Sequence, residues 1–340
     1  MIKWPSIDQF RQVIRNVREN SAYHGLPLPT VEFEGTVKLH GSNGSLRVTE
    51  NGVRAFSRER ECTIEQDNAG WAHFVNTNDY SFDALTSYIF DFYHPGSPFE
   101  AGRYTIYGEW CGGSIQAKVG LNKLDKHFVV FGAYDHTEEK FLNRNWMRGI
   151  IANPTLLNDF NAVGIWFVYQ IPTYSITIDF SQPETAIERL EALTLQVEEE
   201  CPWAAFRGAT GIGEGIVWAS VNDSGDFRYW FKTKGVKHQG KDDSKVKTLS
   251  VDPAKVAAIR ELVSVLLPEW RLEQGVTYLR ENGYSFDQKA TGQYLQWVMK
   301  DVLKEEADTI TANPWEWKEL TPYLTRAARD YFFKALNRDL

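Results

Sequence analysis

The sequence predicts an α+β protein of two domains, a β-rich domain over residues 1–243 and a small all-helical domain over residues 244–340. At roughly 150 residues per domain, 340 residues correspond to two domains or three. Several short segments of the first two thirds alternate apolar and polar residues, which is typical of strands. After residue 252, apolar residues recur at helical spacing instead. The polar, lysine-rich stretch 235–250 has no apolar periodicity and is the expected boundary region.

The N-terminal elements are a helix and then strands. Ser6 with Gln9 three residues later is a capping-box pattern, and apolar residues follow at helical spacing at Ile7, Phe10, Ile14 and Val17. From Val31 to Lys38 the period changes to two, which predicts a strand. Residues 45–49 and 53–57 form a predicted hairpin around Asn51-Gly52, a strong turn signal.

Further strands are predicted along the β-rich domain at Tyr104–Trp110, His127–Tyr134, Ile165–Ile171, Gly215–Ser220 and Phe227–Lys232. A cluster of turn residues, 222–226, separates the last two.

The C-terminal elements are all predicted to be helices. Asp252 can cap the first of them, with Pro253 in the first helical position. Its apolar stripe comprises Val256, Ile259, Leu262, Val263 and Leu266. Two further helices are predicted over Asp287–Asp308 and Trp315–Asn337.

Composition narrows the classes of protein that fit. A hydrophobic share of 43% and a charged share of 24% support a sizeable core and exclude a disordered chain. No apolar run reaches the roughly 18 residues of a membrane helix, and the N-terminus lacks the apolar core of a signal peptide, so no membrane association is expected. The net charge of -8 argues against a protein coated in basic patches but leaves room for a local basic groove.

The cysteines also bear on the class of protein. Cys62, Cys111 and Cys201 are odd in number and widely spaced. This spacing excludes a disulfide framework and a zinc site of the Cys-x-x-Cys kind, and it fits a reducing cytoplasm, where we expect the protein to reside.

Five short segments carry residues suited to chemistry, and each is weak evidence alone. In chain order they are Lys38-Leu-His-Gly41, Ser57-Arg58, Tyr107-Gly-Glu-Trp110, Glu214-Gly-Ile-Val217 and Lys232-Thr-Lys234. Because each falls at a predicted strand end or turn, in this order, they indicate one site together.

Lys38 is the candidate nucleophile. It closes a strand and enters a polar turn whose two glycines, Gly41 and Gly44, let the backbone approach a ligand closely. A desolvated lysine near other cations can lose its proton and attack an electrophile. Lys232 and Lys234 can supply that cationic environment and bind phosphate oxygens. The alternative is an ordinary surface lysine before a loop.

Two carboxylates and one aromatic residue complete the candidate site. Glu109, at the end of an apolar strand, can accept hydrogen bonds from a ribose or hold a metal-bound water. Glu214, flanked by glycines at a strand entrance, is well placed for magnesium. Both have the alternative of a surface carboxylate at a strand end. Phe131 can stack on a purine base, although the default for it and for Phe128 is core packing.

Positive charge concentrates in residues 232–247. The lysines there are interrupted by Asp242 and Asp243, and they can either follow a phosphate backbone or form a charged linker. The linker interpretation is favoured for the last four of the six: Lys232, Lys234, Lys237, Lys241, Lys245 and Lys247.

The five segments resemble the motifs of the covalent lysine nucleotidyltransferases, which include RNA ligases, DNA ligases and mRNA capping enzymes. Lys38-Leu-His-Gly41 resembles the motif whose lysine becomes linked to AMP or GMP. His40 followed by Gly41-Ser42-Asn43 resembles the RNA ligase 2 branch, since most DNA ligases and capping enzymes have Asp at that position. One departure is Gly132 after Phe131, where this family usually has Asp, and it affects the base pocket.

The resemblance implies a fold and an activity. Residues 1–243 would be a nucleotidyltransferase (adenylyltransferase) domain of antiparallel sheets with flanking helices, followed by the helical domain 244–340. The activity would be that of an ATP-dependent RNA ligase in RNA repair, which joins 3′-hydroxyl and 5′-phosphate RNA ends through lysyl-AMP. The RNA would be a nicked duplex or a single-stranded break, and the protein a monomer.

The resemblance also implies roles at the reacting phosphate. Lys38 would carry AMP, while Lys232 and Lys234 would bind the α-phosphate of ATP. Glu214 would hold a water bound to Mg²⁺, with Mn²⁺ as an alternative metal. His40 would act after lysine adenylylation, near the RNA ends.

The remaining roles concern the nucleoside and the RNA. Arg58 and Glu109 would position the ribose, and Phe131 would stack on adenine. Asn43 would be a nucleotide-binding residue that also acts near the RNA ends.

Two other interpretations compete with this one. A DNA ligase or an mRNA capping guanylyltransferase predicts an OB barrel after Lys234, and capping predicts the use of GTP. A non-catalytic RNA-binding protein with the same fold is the other alternative, although every expected charged position is occupied here.

Overall fold

The computed structural model describes residues 2–113, 115–116, 119–222, 227–235 and 253–338. The predicted cap Asp252, the lysines from Lys237 to Lys247, residues 223–226 of the predicted turn and most of the predicted boundary region lie outside these ranges. The chain divides into two compact units. Unit 1 comprises Met1–Val17 and Leu28–Leu249, and unit 2 comprises Arg18–Pro27 and Ser250–Leu340.

All strands of the described residues belong to unit 1. In chain order they are β1 Asp8–Gln9, β2 Thr30–Lys38, β3 Ser42–Thr49, β4 Gly52–Ser57, β5 Glu61–Cys62, β6 Tyr104–Cys111, β7 His127–Asp135, β8 Lys140–Phe141, β9 Ile165–Phe167, β10 Tyr174–Asp179, β11 Gly215–Ser220 and β12 Phe231–Lys234.

The described helices fall into two groups along the chain. Those before residue 210 are α1 Phe10–His24, α2 Trp71–Thr77, α3 Asp79–Tyr93, α4 Asn145–Ile151, α5 Pro154–Ala162, α6 Ile187–Glu199 and α7 Pro202–Phe206. Those after residue 252 are α8 Pro253–Leu266, α9 Glu269–Glu281, α10 Thr291–Glu305, α11 Ala307–Thr311 and α12 Trp317–Arg338.

The strands form two sheets. The first has the order β1-β12-β11-β2-β10, and the second has the order β5-β4-β3-β6-β7-β8 with β9 also paired to β7. The pairs β1/β12 and β7/β9 are parallel, and the other described pairs are antiparallel. The predicted fold class, antiparallel sheets with flanking helices followed by a helical C-terminal region, is therefore confirmed.

Most predicted strands are confirmed, and two are wrong in extent. The segment from Ile165 ends as a strand at Phe167, because residues 168–170 turn into a short 3-10 helix in which the Gln170 side chain accepts a hydrogen bond from the Phe167 N–H. The segment from Phe227 begins as a 3-10 helix, and its strand runs only from Phe231 to Lys234. Phe227 and Trp230 are held instead in ring contact with each other.

The predicted hairpin is confirmed, with its turn shifted by one residue. The turn residues are Glu50 and Asn51, and Thr49 pairs with Gly52. Gly52 has φ of 100°, a left-handed conformation that glycine adopts without steric cost.

The predicted start of the first helix is wrong. The helix begins at Phe10, because Asp8 and Gln9 pair with β12 as a strand. The capping side chain is Gln12, whose Oε1 accepts a 2.9 Å hydrogen bond from the Gln9 N–H. Ser6 therefore does not cap this helix.

The C-terminal prediction is confirmed as helical but wrong in two boundaries. All five apolar positions predicted for α8 are buried. The segment from Asp287 is divided into a 3-10 turn, α10 and α11, and the last helix starts at Trp317. The helix α9 was not predicted. Within the described ranges, no helix combines the length and hydrophobicity that a membrane span requires.

Unit 1 has two apolar clusters. The larger one contains the main hydrophobic residues of both sheets and of α1, α3 and α6. The smaller one, which we call the Trp4 cluster, contains residues of both sheets and of the N-terminal segment. Its buried members are Trp4, Tyr107, Tyr134, Ala219 and Trp230, and its partly buried members are Ile7, Phe131, Phe141, Val217 and Phe227.

Candidate active site

Three neighbouring strand ends bring Lys38, Glu214 and Lys234 together. The register of the first sheet pairs Gly215 with Lys38 on one side and with Lys234 on the other. Residues that are directly opposite in an antiparallel pair share a face of the sheet, so the two lysines lie on the same face. Glu214 comes directly before Gly215, so it lies at the start of β11, between the two strands that carry the lysines.

The backbone at Gly215 has no space for a side chain. Its φ is 152°, and a Cβ atom there would lie 2.0 Å from the carbonyl oxygen of Thr233. A Cβ at Gly213 would lie 2.4 Å from the carbonyl oxygen of Val197. These two glycines allow the chain to pass close to β12 and α6 and so fix the position of Glu214.

The Glu214 carboxylate contacts three basic side chains. Its Oε2 lies 2.6 Å from Lys38 Nζ and 3.1 Å from His40 Nδ1, and its Oε1 lies 3.2 Å from Lys234 Nζ. The Glu214 side chain is 3% exposed, whereas those of Lys38 and Lys234 are 24% and 26% exposed. The carboxylate is therefore buried beneath amino groups that remain accessible to a ligand.

These contacts keep Glu214 ionised. Burial alone would raise the pKa of this carboxyl, but the hydrogen bond with His40 and the charge and hydrogen bond of Lys38 lower it to about 2. An ionised carboxylate that is buried must be paired with charge or with hydrogen-bond donors. Removal of one partner would therefore leave the other groups poorly compensated.

Lys232 lies on the same face as Lys234. Because side chains alternate along a strand, the residue between them, Thr233, points to the opposite face. Its hydroxyl oxygen accepts hydrogen bonds from Trp218 Nε1 at 3.2 Å and from Thr194 Oγ1 at 2.6 Å. Lys232 lies opposite Val217 of β11 on one side and opposite Gln9 of the edge strand β1 on the other.

Glu109 holds the turn that follows Lys38. Its Oε1 accepts a 2.8 Å hydrogen bond from the Gly41 N–H, and Gln116 Nε2 donates to the Gly41 carbonyl at 3.2 Å. Asn43 lies directly opposite Glu109 in the β3/β6 register. A Cβ atom at Gly41 would lie 2.4 Å from the Trp110 carbonyl oxygen, so the close approach requires glycine.

Glu109 differs from Glu214 in its protonation. Burial raises the pKa of Glu109 to about 7, against the lowering effects of the Lys38 charge and the hydrogen bond from Gly41. The carboxyl group therefore changes its charge close to neutral pH. Near neutral pH, Glu214 therefore stays ionised, whereas Glu109 changes between its neutral and ionised forms.

Phe131 occupies an irregular position in the second sheet. The register shifts between Tyr107 and Gly108, so Val130 and Gly132 are paired while Phe131 is the extra residue of a bulge. Phe131 is partly buried and meets Trp4 edge to face, with 4.9 Å between ring centroids. Phe128, in contrast, is a core residue with its ring 4.4 Å from that of Trp71.

Arg58 lies on the exposed segment after β4. Its Nη2 donates a 3.4 Å hydrogen bond to the Ser6 hydroxyl. The structure thus brings Arg58 to the N-terminal segment, while Lys38, His40 and Lys234 each contact Glu214.

The donor set around Glu214 fits a metal that is shared with a nucleotide. Among the described residues, no three His, Cys, Asp or Glu side chains form a cluster that could hold a metal alone. Mg²⁺ in nucleotide enzymes is usually bound through one or two carboxylates together with phosphates and waters. The single ionised carboxylate of Glu214 satisfies that pattern.

Sequence reasoning missed three residues that contact the candidate site. Gln116 donates a hydrogen bond to the Gly41 carbonyl, and Trp4 contacts Phe131. Val217 lies opposite Lys232 and, like Phe131, packs against the Trp4 cluster. Val217 was within a motif that the sequence analysis singled out. The other two stand far from their partners along the chain and have no local signal.

Comparison with known proteins gives one family match. The family model described as RNA ligase matches residues 31–234, a range that includes each of the candidate site residues. No curated protein matches the chain.

Several solved structures of a Naegleria gruberi RNA ligase are similar to the chain. A mutant with ATP and Mn has 18% identity and a TM-score of 0.45, covering 72% of this chain and 59% of the other. An unliganded mutant has 18% identity and a TM-score of 0.46, with coverages of 70% and 57%. The enzyme with pyrophosphate has 19% identity and a TM-score of 0.43, with the same coverages. This chain thus matches less than two thirds of the length of these proteins.

The family match rests on the family model, which spans more than half of the 340 residues. This chain belongs to the RNA ligase family.

Proposed function

We propose that the protein is an ATP-dependent RNA ligase that joins 3′-hydroxyl and 5′-phosphate RNA ends through a lysyl-AMP intermediate on Lys38, in RNA repair. The observation that carries this proposal is the contact of one ionised carboxylate, Glu214, with Lys38, His40 and Lys234 at the ends of adjacent strands. This contact supports the proposal because it would combine a nucleophilic amine, phosphate-binding cations and a metal-binding carboxylate within one site.

The first step forms the covalent intermediate. Lys38, whose side chain is partly exposed, loses a proton to the surrounding water, and the nitrogen lone pair attacks the α-phosphorus of ATP. The new P–N bond forms as the bond to pyrophosphate breaks. Lys232 and Lys234, on the same face as Lys38, would stabilise the charge on the α-phosphate oxygens.

Two further steps use the bound AMP. The 5′-phosphate of an RNA end attacks the phosphorus of lysyl-AMP and releases Lys38. The 3′-hydroxyl of the other end then attacks the activated 5′-phosphate and gives its proton to water, and AMP leaves as the bond between the two phosphates breaks. His40 and Asn43, which follow Lys38 in the turn and β3, are proposed to serve these two steps.

The metal and the nucleoside would use the remaining residues. Mg²⁺, or Mn²⁺ in its place, would be held through Glu214 and would neutralise charge on the phosphates. Glu109 and Arg58 are proposed to position the ribose. Phe131 is proposed to stack on adenine, with Val217 on the same wall.

The helical C-terminal region favours this assignment over a DNA ligase or a capping enzyme. Those enzymes would have an OB barrel after Lys234, and the described residues 253–338 consist of helices with connecting turns. We propose residues 1–243 as the adenylyltransferase domain and residues 244–340 as a domain that assists with the RNA. The substrate is proposed to be a nicked duplex or a single-stranded break, and the protein a cytoplasmic monomer.

Covalent labelling tests the proposal. The purified protein is incubated with Mg²⁺ and α-³²P-labelled ATP or GTP, together with the variants Lys38→Ala and Lys140→Ala. Lys140 is an exposed lysine of β8 and serves as the control. We expect label from ATP only, lost in Lys38→Ala and retained in Lys140→Ala.

Other results would redirect the assignment. Label from GTP would indicate a capping guanylyltransferase. Persistent label in Lys38→Ala would refute the role of Lys38 as nucleophile. An absence of label, together with an unmodified protein mass, would favour the non-catalytic RNA-binding alternative.

A further inference from the structure

The N-terminal segment Ile2–Gln9, which we call the strap, contacts three of the five segments that carry the candidate site residues. Its β1 strand lies parallel to β12, with Gln9 paired to Lys232. Its Ser6 hydroxyl accepts the hydrogen bond from Arg58. Near its start, the Ile2 carbonyl accepts a 2.7 Å hydrogen bond from Tyr107 Oη. The strap therefore joins the first sheet, through β1, to the second sheet, through the hydrogen bond from Tyr107.

Trp4 is the central residue of the strap. It is 7% exposed and contacts five aromatic rings at centroid distances of 4.9 to 5.8 Å. Three of these rings belong to the second sheet and two to the segment before β12. They are Tyr107, Phe131, Phe141, Phe227 and Trp230.

Gly132 is shaped to receive the Trp4 ring. A Cβ atom at Gly132 would lie 2.4 Å from Trp4 Cη2 and 2.5 Å from Trp4 Cζ3. The residue after Phe131 therefore has to be glycine for Trp4 to occupy this place. The departure from the usual Asp at this position is explained by the indole that fills the space.

Phe131 depends on this packing more than its neighbours do. As the extra residue of a bulge, it is not fixed by a cross-strand partner. Its ring instead meets Trp4 edge to face at an interplanar angle of 62°. An aromatic pair in this geometry is stabilised beyond its buried area, which biases the position of the side chain.

We propose that Trp4 is a positioning residue for nucleotide binding: it holds Phe131 in place as the surface on which the base of ATP stacks. The inference rests on the proposed function, because it takes the ligand of Phe131 to be the adenine of ATP. It assigns to the strap a role that neither the motifs nor the family match provides.

Kinetics of lysine adenylylation test this role. The full chain is compared with Trp4→Ala and with the conservative variant Trp4→Phe. We expect Trp4→Ala to raise the KM for ATP about fivefold to tenfold, with kcat within about twofold. Trp4→Phe should restore most of the affinity, because it returns an aromatic edge to Phe131. A matched control is Trp166→Ala, which removes a partly buried indole of β9 elsewhere in unit 1.

A second variant displaces Trp4 without removing it. Gly132→Ala places a methyl group against the indole and should raise the KM for ATP in the same way as Trp4→Ala. Gly292→Ala is its control, since the added methyl group would meet no atom within 4 Å beyond the backbone of its own helix. This pair keeps the test decisive if Trp4→Ala fails to fold.

Equilibrium binding of ATP, measured by calorimetry on the same proteins, separates this inference from the proposed function. If the wild type binds ATP without becoming labelled, and Trp4→Ala or Gly132→Ala weakens binding, the proposed ligase chemistry fails and the role of Trp4 stands. If the wild type is labelled but neither variant changes KM or binding, the role of Trp4 is refuted and the ligase chemistry stands. Equal effects of Trp166→Ala and Trp4→Ala on KM would also refute it.

Discussion

Replacement of Glu214 by glutamine removes the charge at the centre of the site and keeps its shape. The pKa of Glu214 falls from its usual value of 4.5 to about 2 in the folded protein. At about 1.4 kcal/mol per pH unit, this difference corresponds to about 3 kcal/mol of stability at neutral pH. Because glutamine resembles the protonated acid, we expect Glu214→Gln to lower the free energy of unfolding by about that amount at pH 7.

The effect has a defined dependence on pH. The folded-state pKa is depressed, so the stabilisation is fully present above pH 4.5 and disappears as the pH falls through 2. At pH 3 about half of it remains, about 1.5 kcal/mol. The difference between wild type and Glu214→Gln should therefore shrink between pH 5 and pH 3.

Urea unfolding followed by tryptophan fluorescence measures this difference in the free energy of unfolding at pH 7, pH 5 and pH 3. Glu61→Gln is the control, because Glu61 forms an ion pair with Arg54 on the exposed surface, and such pairs contribute at most about 1 kcal/mol. Equal stability of Glu214→Gln and wild type at pH 7, or a difference that does not change with pH, would show that the three contacts do not stabilise the carboxylate.

Two further predictions concern the neighbours of Glu214. The pKa of Glu109 is raised from 4.5 to about 7, so its ionised form destabilises the fold. As the pH rises from about 4.5 through 7, the free energy of unfolding of the wild type should therefore fall by about 3 kcal/mol relative to that of Glu109→Gln. A difference in urea unfolding that stays constant between pH 5 and pH 8 would contradict this. His40→Ala should reduce sealing of nicked RNA more than it reduces labelling by ATP, because His40 is proposed to act after lysine adenylylation; equal losses in the two assays would count against that order.

Much of the fold was predictable because its elements have strong local patterns. The alternation of Val31–Lys38 and the turn near Asn51 correspond directly to β2 and to the β3/β4 hairpin. The failures occurred where distant packing overrides local preference. Trp230 enters the Trp4 cluster and delays the start of β12, and pairing with β12 converts Asp8–Gln9 from a helix start into a strand.

The candidate site was predictable as a set of residue types but not as a set of contacts. The charged residues of the five segments stand at strand ends, and that position can be read from the sequence. Which carboxylate meets Lys38 depends on the sheet order, in which β11 lies between β2 and β12. Trp4 could not be predicted as a neighbour of Phe131, because the two are far apart in the sequence and are joined by tertiary packing.

The two carboxylates beside Lys38 show how the fold gives one chemical group two behaviours. Glu214 contacts three basic groups and keeps its charge, whereas Glu109 has one backbone donor and more desolvation than compensation. Environments that separate the pKa values of neighbouring acids are characteristic of sites that manage charge during a reaction. Of these two carboxylates, only Glu109 changes the net charge around Lys38 near neutral pH. Since Glu109 also holds the turn at Gly41, its ionisation strengthens the hydrogen bond that fixes this turn.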